Sequence, residues 1–139
     1  MKPEELQIGD WVCWKGKPVQ IAQISGIKYS FGHIDVELAH CGSGFLERHD
    51  IKSISPIPIT SEILLKNGFE KVENSGGFSL YRKDENGFAM YHIHYHHHYY
   101  LDIDGYIRGI STFEGVNIQY IHQLQQALRL CGITIEIKI

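Results

Sequence analysis

The stretch Tyr91-His92-Ile93-His94-Tyr95-His96-His97-His98-Tyr99-Tyr100-Leu101 gathers five of the nine histidines in this 139-residue chain. How it pairs with its neighbours decides which side of a β-ribbon meets water. Residues along a strand alternate between faces, and two-residue turns fix the register of the strands they join. Asn86-Gly87 and Asp104-Gly105 both accept the positive φ angles that such turns need. They predict a meander over 78–85, 88–103 and 106–113, with Tyr81 opposite His92, Ser79 opposite His94, and His98 opposite Ser111. One face then carries Ser79, Tyr81, Met90, His92, His94, His96, His98 and Tyr100, and the other carries Leu80, Ile93, Tyr95, Tyr99, Leu101 and Ile103. The second set is apolar, so it is expected to be dry and the histidine set wet. A strand over 88–103 is long against the usual ~5–6 residues. Its natural break is a bulge near His96 to His98, which would exchange the faces of His98 and Tyr100.

On a wet pleated surface imidazoles need no further role. The sharper reading is a metal site. Residues i and i+2 lie about 6.5–7 Å apart on one side of a strand, and two imidazoles reach one ion at about 2.0–2.1 Å. His92, His94, His96 and His98 form overlapping H-x-H pairs of this kind. A zinc or nickel ion is the candidate for that ladder, although no carboxylate or cysteine on the same strand face completes a mixed ligand set. No other cofactor is expected.

Working outward, a helix is predicted over 118–131, with Asn117 as N-cap, Gly132 after its C-terminus, and Ile118, Ile121, Leu124, Leu128 and Cys131 along one stripe. It is expected to cover the dry face of the meander, leaving His122, Gln119, Gln123, Gln125 and Gln126 on its polar side. Strict alternation of isoleucine with Thr134, Glu136 and Lys138 predicts a closing strand over 133–139. A short helix over 61–67 is framed by Thr60 as N-cap and Gly68 beyond its end, with Phe69 covering the last turn.

Before that helix, Ser55-Pro56-Ile57-Pro58-Ile59-Thr60 forbids helix and favours extended backbone. Upstream, short β-rich runs over 11–14, 19–24, 27–31, 33–38 and 51–54 are separated by glycines. The expected architecture is α+β: a small N-terminal SH3-like β-barrel over 1–57, packed on a C-terminal antiparallel β-sheet over 58–139 with helices on one face. A piece of about 57 residues buries only about 60% of its unfolded surface and is marginal alone, which favours packing between the halves.

Composition narrows the function classes. With 43% apolar and 21% charged residues the chain is an ordinary globular one. No apolar run approaches the ~20 residues of a membrane span, and the acidic start MKPEELQIGDW is unlike a secretory signal. A cytoplasmic protein is expected. Cys13, Cys41 and Cys131 form no paired motif. A net charge of -3 gives no general pull towards phosphate, so nucleic acid is a minor reading and an unidentified protein is the expected partner. Within that minor reading, Trp11, Trp14, Lys15 and Lys17 form the aromatic and basic patch that could hold a single strand. Glu47, Arg48, His49 and Asp50 read as a solvated charged loop. No Walker loop, G-x-G-x-x-G or G-x-S-x-G is present, and no enzyme class is indicated.

Three segments resemble a known group. Leu6 to Val12 (LQIGDWV), Ser55 to Lys71 (SPIPITSEILLKNGFEK) and Tyr120 to Ile133 (YIHQLQQALRLCGI) are similar to small proteins of unassigned activity encoded by prophages and mobile elements of gut anaerobic bacteria. The resemblance implies a cytoplasmic accessory or interaction role in phage or element biology. It implies no activity, cofactor or site.

Overall fold

A computed structural model of the chain describes residues 1–28, 33–39, 44–75, 78–83, 88–93, 98–102, 116–130, 132–133 and 136–139, and every element and contact below lies within them. In chain order the elements are β1 (Trp11–Trp14), β2 (Lys17–Lys28), β3 (His33–Ala39), β4 (Leu46–Asp50), β5 (Ile54–Pro56), α1 (Ser61–Lys66), β6 (Glu70–Ser75), β7 (Phe78–Lys83), β8 (Phe88–Ile93), β9 (His98–Asp102), β10 (Val116–Ile118) and α2 (Ile121–Leu130). The architecture is mixed α+β with antiparallel sheets. Two compact units emerge: Met1–Pro58 with Tyr120–Cys131, and Ile59–Gln119 with Gly132–Ile139.

In the first unit the strand order is β4-β3-β2-β1-β5, and no pairing among the described residues closes it into a barrel. The alternation expected in β3 is present. Val36 and Leu38 are fully buried with Val12, Val19, Ile21 and Ile54, while Ile34 packs against the same cluster and His33 is exposed. Three boundaries differ from expectation. The runs around Gly26 join into the single strand β2, which absorbs two register irregularities against β3. Leu46–Asp50 is a strand paired along β3 rather than a loop. Ile51–Ser53 is a 3-10 turn, capped by the Asp50 side chain accepting from the Lys52 N–H at 2.8 Å.

Helix α2 begins three residues later than expected, because Val116–Ile118 pairs with β9 as a strand. It groups with the first unit. Ile121, Leu124 and Leu128 are buried as the periodicity demands, but so are His122 and Gln125, which we expected on the polar side. The reason is a backbone need. Past Pro56 the chain leaves β1, and the Ile57 carbonyl accepts from the Ile121 N–H at 2.9 Å. The Trp11 N–H then donates to Gln125 Oε1 at 2.8 Å, while Gln125 Nε2 donates to the Gly9 carbonyl at 3.1 Å. A buried amide that satisfies two backbone groups is a structural residue.

The second unit orders its strands β10-β9-β8-β7-β6. Helix α1 forms as its caps foretell: Thr60 Oγ1 accepts from the Ile63 N–H, Gly68 takes φ +79°, and the Phe69 N–H donates to the Leu64 carbonyl. Strand β6, unheralded by alternation, pairs with β7.

The meander departs most from expectation. Lys83 pairs with Phe88, so the β7–β8 connection is longer than two residues, and His92 opposes Ser79 rather than Tyr81. The expected single strand over 88–103 is two strands, with the chain reversing between Ile93 and His98. Reversal resets the alternation, so Tyr99, expected on the face away from His92, stands opposite it. Ser79 and Tyr81, assigned to the wet face, are buried, as is Leu80. Both faces of β7 are therefore covered. The strand expected over 133–139 does not form among the described residues, although Ile137 is buried between exposed Glu136 and Lys138. Instead the Asn67 side chain acts as a peptide surrogate: its Nδ2 donates to the Lys138 carbonyl at 2.8 Å, and its Oδ1 accepts the Lys138 N–H at 2.7 Å. Strands 27–31 in part, the Asp104-Gly105 turn and the strand over 106–113 lie outside the described residues.

Candidate functional site

The β1–β2 hairpin closes through Lys15 and Gly16, since Trp14 pairs with Lys17. Both turn residues have positive φ, +47° and +75°. That is the two-residue turn whose twist suits a hairpin. Glycine adopts it freely, whereas a residue with a Cβ gives up about 1–2 kcal/mol there. The strained Lys15 sits with Nζ 4.4 Å from the centroid of the Trp14 ring.

A second ring reaches the same indole from the far side of the sheet order. His49, on β4, lies with its ring centroid 4.2 Å from that of Trp14 and tilted 36° to it. In a flat sheet the two would be far apart. Three strand steps separate β4 from β1, and His49 lies level with Ile24, seven positions (24 − 17 = 7) along β2 from the Lys17 that faces Trp14. At about 4.8 Å per strand and 3.3 Å per residue that is more than about 25 Å. The first sheet must therefore curl strongly, and the irregularities in β2 are where it bends. Asp50 then turns the chain back immediately after His49. Its carboxylate is held below the usual range by the Lys52 N–H and by His33, whose ring lies 3.0 Å away. From that turn β5 pairs with β1, Ile54 opposite Trp14.

Two ion pairs lie along β4. His49 Nε2 lies 3.0 Å from Glu47 Oε2, and Arg48 donates to Glu37 at 3.1 Å. Lys17 is exposed. Trp14 is half-buried, its inner part against the first unit's core. Of the four residues expected to hold a single strand, Trp14 and Lys15 touch and Lys17 is beside them, but Trp11 is buried in the interior. His49 and Glu47 were missed. Leu46-Glu47-Arg48-His49-Asp50 has no apolar alternation, so its strand character comes only from pairing with β3.

The histidine ladder is not available as one strand, because His92 and His98 lie on β8 and β9. His94 and His96 lie outside the described residues. No group of three or more His, Cys, Asp or Glu side chains fit for a metal occurs among the described residues.

Two polar clusters are structural. Asp10, fully buried, accepts from the Gln7 N–H at 2.8 Å, Gln126 Nε2 at 2.6 Å and Arg129 Nη1 at 2.7 Å, which ties α2 to the loop before β1. Beside it His122 is buried, stacked on Tyr120, with Nδ1 lacking any partner. Burial lowers its pKa, opposed by the Asp10 and Glu5 charges. In the second unit the Ser61 hydroxyl bonds that of Tyr81, and also that of Tyr99, whose pKa burial raises.

No protein family, curated protein or solved structure matches the chain. No helix among the described residues is long and apolar enough to cross a membrane.

Proposed function

We propose that the chain is a binding module without catalytic chemistry of its own, whose first unit is an SH3-like barrel and whose contact surface is the Trp14, Lys15 and His49 cluster. The observation that carries this is the half-buried Trp14 ring in contact with both an exposed ammonium and an imidazole. A tryptophan wet on one side and anchored on the other is an economical recognition group, because it buries much area with little side-chain freedom to lose. The barrel reading is supported by the order β4-β3-β2-β1-β5, by the 3-10 turn between β4 and β5, and by the curl that joins His49 to Trp14. A protein partner fits better than a nucleic acid: net charge is -3, and the residue against the indole, His49, has the Glu47 carboxylate 3.0 Å from its ring nitrogen. In keeping with the resemblance of its terminal and junction segments, the module serves as an accessory protein of a prophage or mobile element in the cytoplasm.

An array of random twelve-residue peptides, probed with the full chain and with its Trp14→Ala variant, tests the reading. It predicts a set of peptides retained by the former and lost by the latter. If no peptide distinguishes the two, the reading falls.

A further inference from the structure

We infer that the Trp14 site recognises a cationic side chain, a lysine or methylated lysine ammonium, and that Lys15 occupies the site as the chain's own stand-in for it. The inference rests on the binding-module reading and gives the partner its chemistry.

Three observations support it. The face of an indole attracts a cation through the ring quadrupole, and the Trp14 ring already holds one, the Lys15 ammonium at 4.4 Å. Lys15 reaches that ring from a turn position of positive φ directly after Trp14. The same indole is flanked by a second ring. His49 lies against Trp14 at 4.2 Å, with its Nε2 3.0 Å from the Glu47 carboxylate. The negative face of the ring suits an incoming ammonium and opposes a phosphate. Lys15 is exposed and tethered by a short hairpin, so it can swing into water when a partner's cation takes its place. An exposed contact of this type is worth only about a two- to fivefold change in affinity, weak enough to be displaced.

Removing the internal occupant separates this from nucleic-acid stacking. If the site takes a cation, losing Lys15 removes a competitor and strengthens binding. If it takes a nucleotide strand, losing Lys15 removes a phosphate contact and weakens binding.

The test is a titration of the full chain, isotopically labelled, with Nα-acetyl-Nζ-trimethyl-lysine methylamide, following the Trp14 indole N–H by NMR. The buried Trp11 indole serves as the internal check of folding. Nα-acetyl-norleucine methylamide is the uncharged control, and a thymidine oligonucleotide is the anionic one. The expected result is a shift of the Trp14 signal by the trimethyl-lysine probe alone, about two- to fivefold tighter in Lys15→Asn. Asparagine before Gly16 favours the same turn, so Lys15→Asn keeps the hairpin. Equal shifts with norleucine, or unchanged or weaker trimethyl-lysine binding in Lys15→Asn, overturn the inference. So does oligonucleotide binding that Lys15→Asn abolishes. Peptides that bind the array through Trp14 but lack lysine overturn the cation and leave the binding module standing. A blank array removes both.

Discussion

The two units hold a helix against a five-stranded antiparallel sheet by different chemistry. In the first, α2 is tied down by ions: Arg129 and Gln126 converge on a fully buried Asp10, and Gln125 satisfies two backbone groups. In the second, α1 is tied by neutral groups: Ser61 bonds the hydroxyls of Tyr81 and Tyr99, and Asn67 imitates a peptide unit for Lys138. The difference teaches where each unit is vulnerable. A buried charge stripped of its partner has no cheap alternative, whereas a hydroxyl can find water if its surroundings loosen.

The largest effect is therefore expected in the first unit. Arg129→Met leaves Asp10 buried without its cation and is expected to cost about 3 kcal/mol. Region-resolved hydrogen exchange checks the location, with protection falling in β1 and α2 and unchanged in β7. Gln125→Leu keeps the volume but leaves the Trp11 N–H and the Gly9 carbonyl unpaired, for about 2 kcal/mol, read as a shift of the denaturation midpoint. Tyr81→Phe is expected to cost about 1 kcal/mol, because half-buried Ser61 retains Tyr99 and can recruit water. Should Tyr81→Phe prove costlier than Arg129→Met, the contrast between ionic and neutral clasps is wrong.

The finest distinction is in pH. His122 has a folded-state pKa below its unfolded value, so the unfolded chain binds the proton first. The stabilising contribution of the neutral ring is complete above the unfolded value of about 6.5 and is lost as pH falls from there towards the folded value. The Asp10 and Glu5 charges oppose this loss but are outweighed by burial. Exchange protection of α2 is expected to decline as pH falls below about 6.5, while that of α1 holds. His122→Gln should flatten the difference.

Local signals were read well from the sequence. Thr60 and Gly68 bounded α1 because capping is satisfied within a few residues, and β3 announced itself because one of its faces is dry. What failed depended on distant partners. The histidine-rich stretch alternates well enough to pass for one strand, yet reverses between Ile93 and His98, a choice made by the pairing of β8 with β9. Gln125 and His122 read as surface residues because the backbone need that buries Gln125 arises more than a hundred positions away, at Trp11. Trp14 and Lys15 were visible as a patch, but His49 and Glu47 joined them only through the curl of the sheet.

That curl is the claim on which the site depends. The most direct test is the nuclear Overhauser effect between the Trp14 indole protons and the carbon-bound ring protons of His49. A ring separation of 4.2 Å predicts strong cross-peaks between the two side chains. If His49 shows cross-peaks only to its β3 neighbours and none to Trp14, the sheet is not curled as described and the site does not exist.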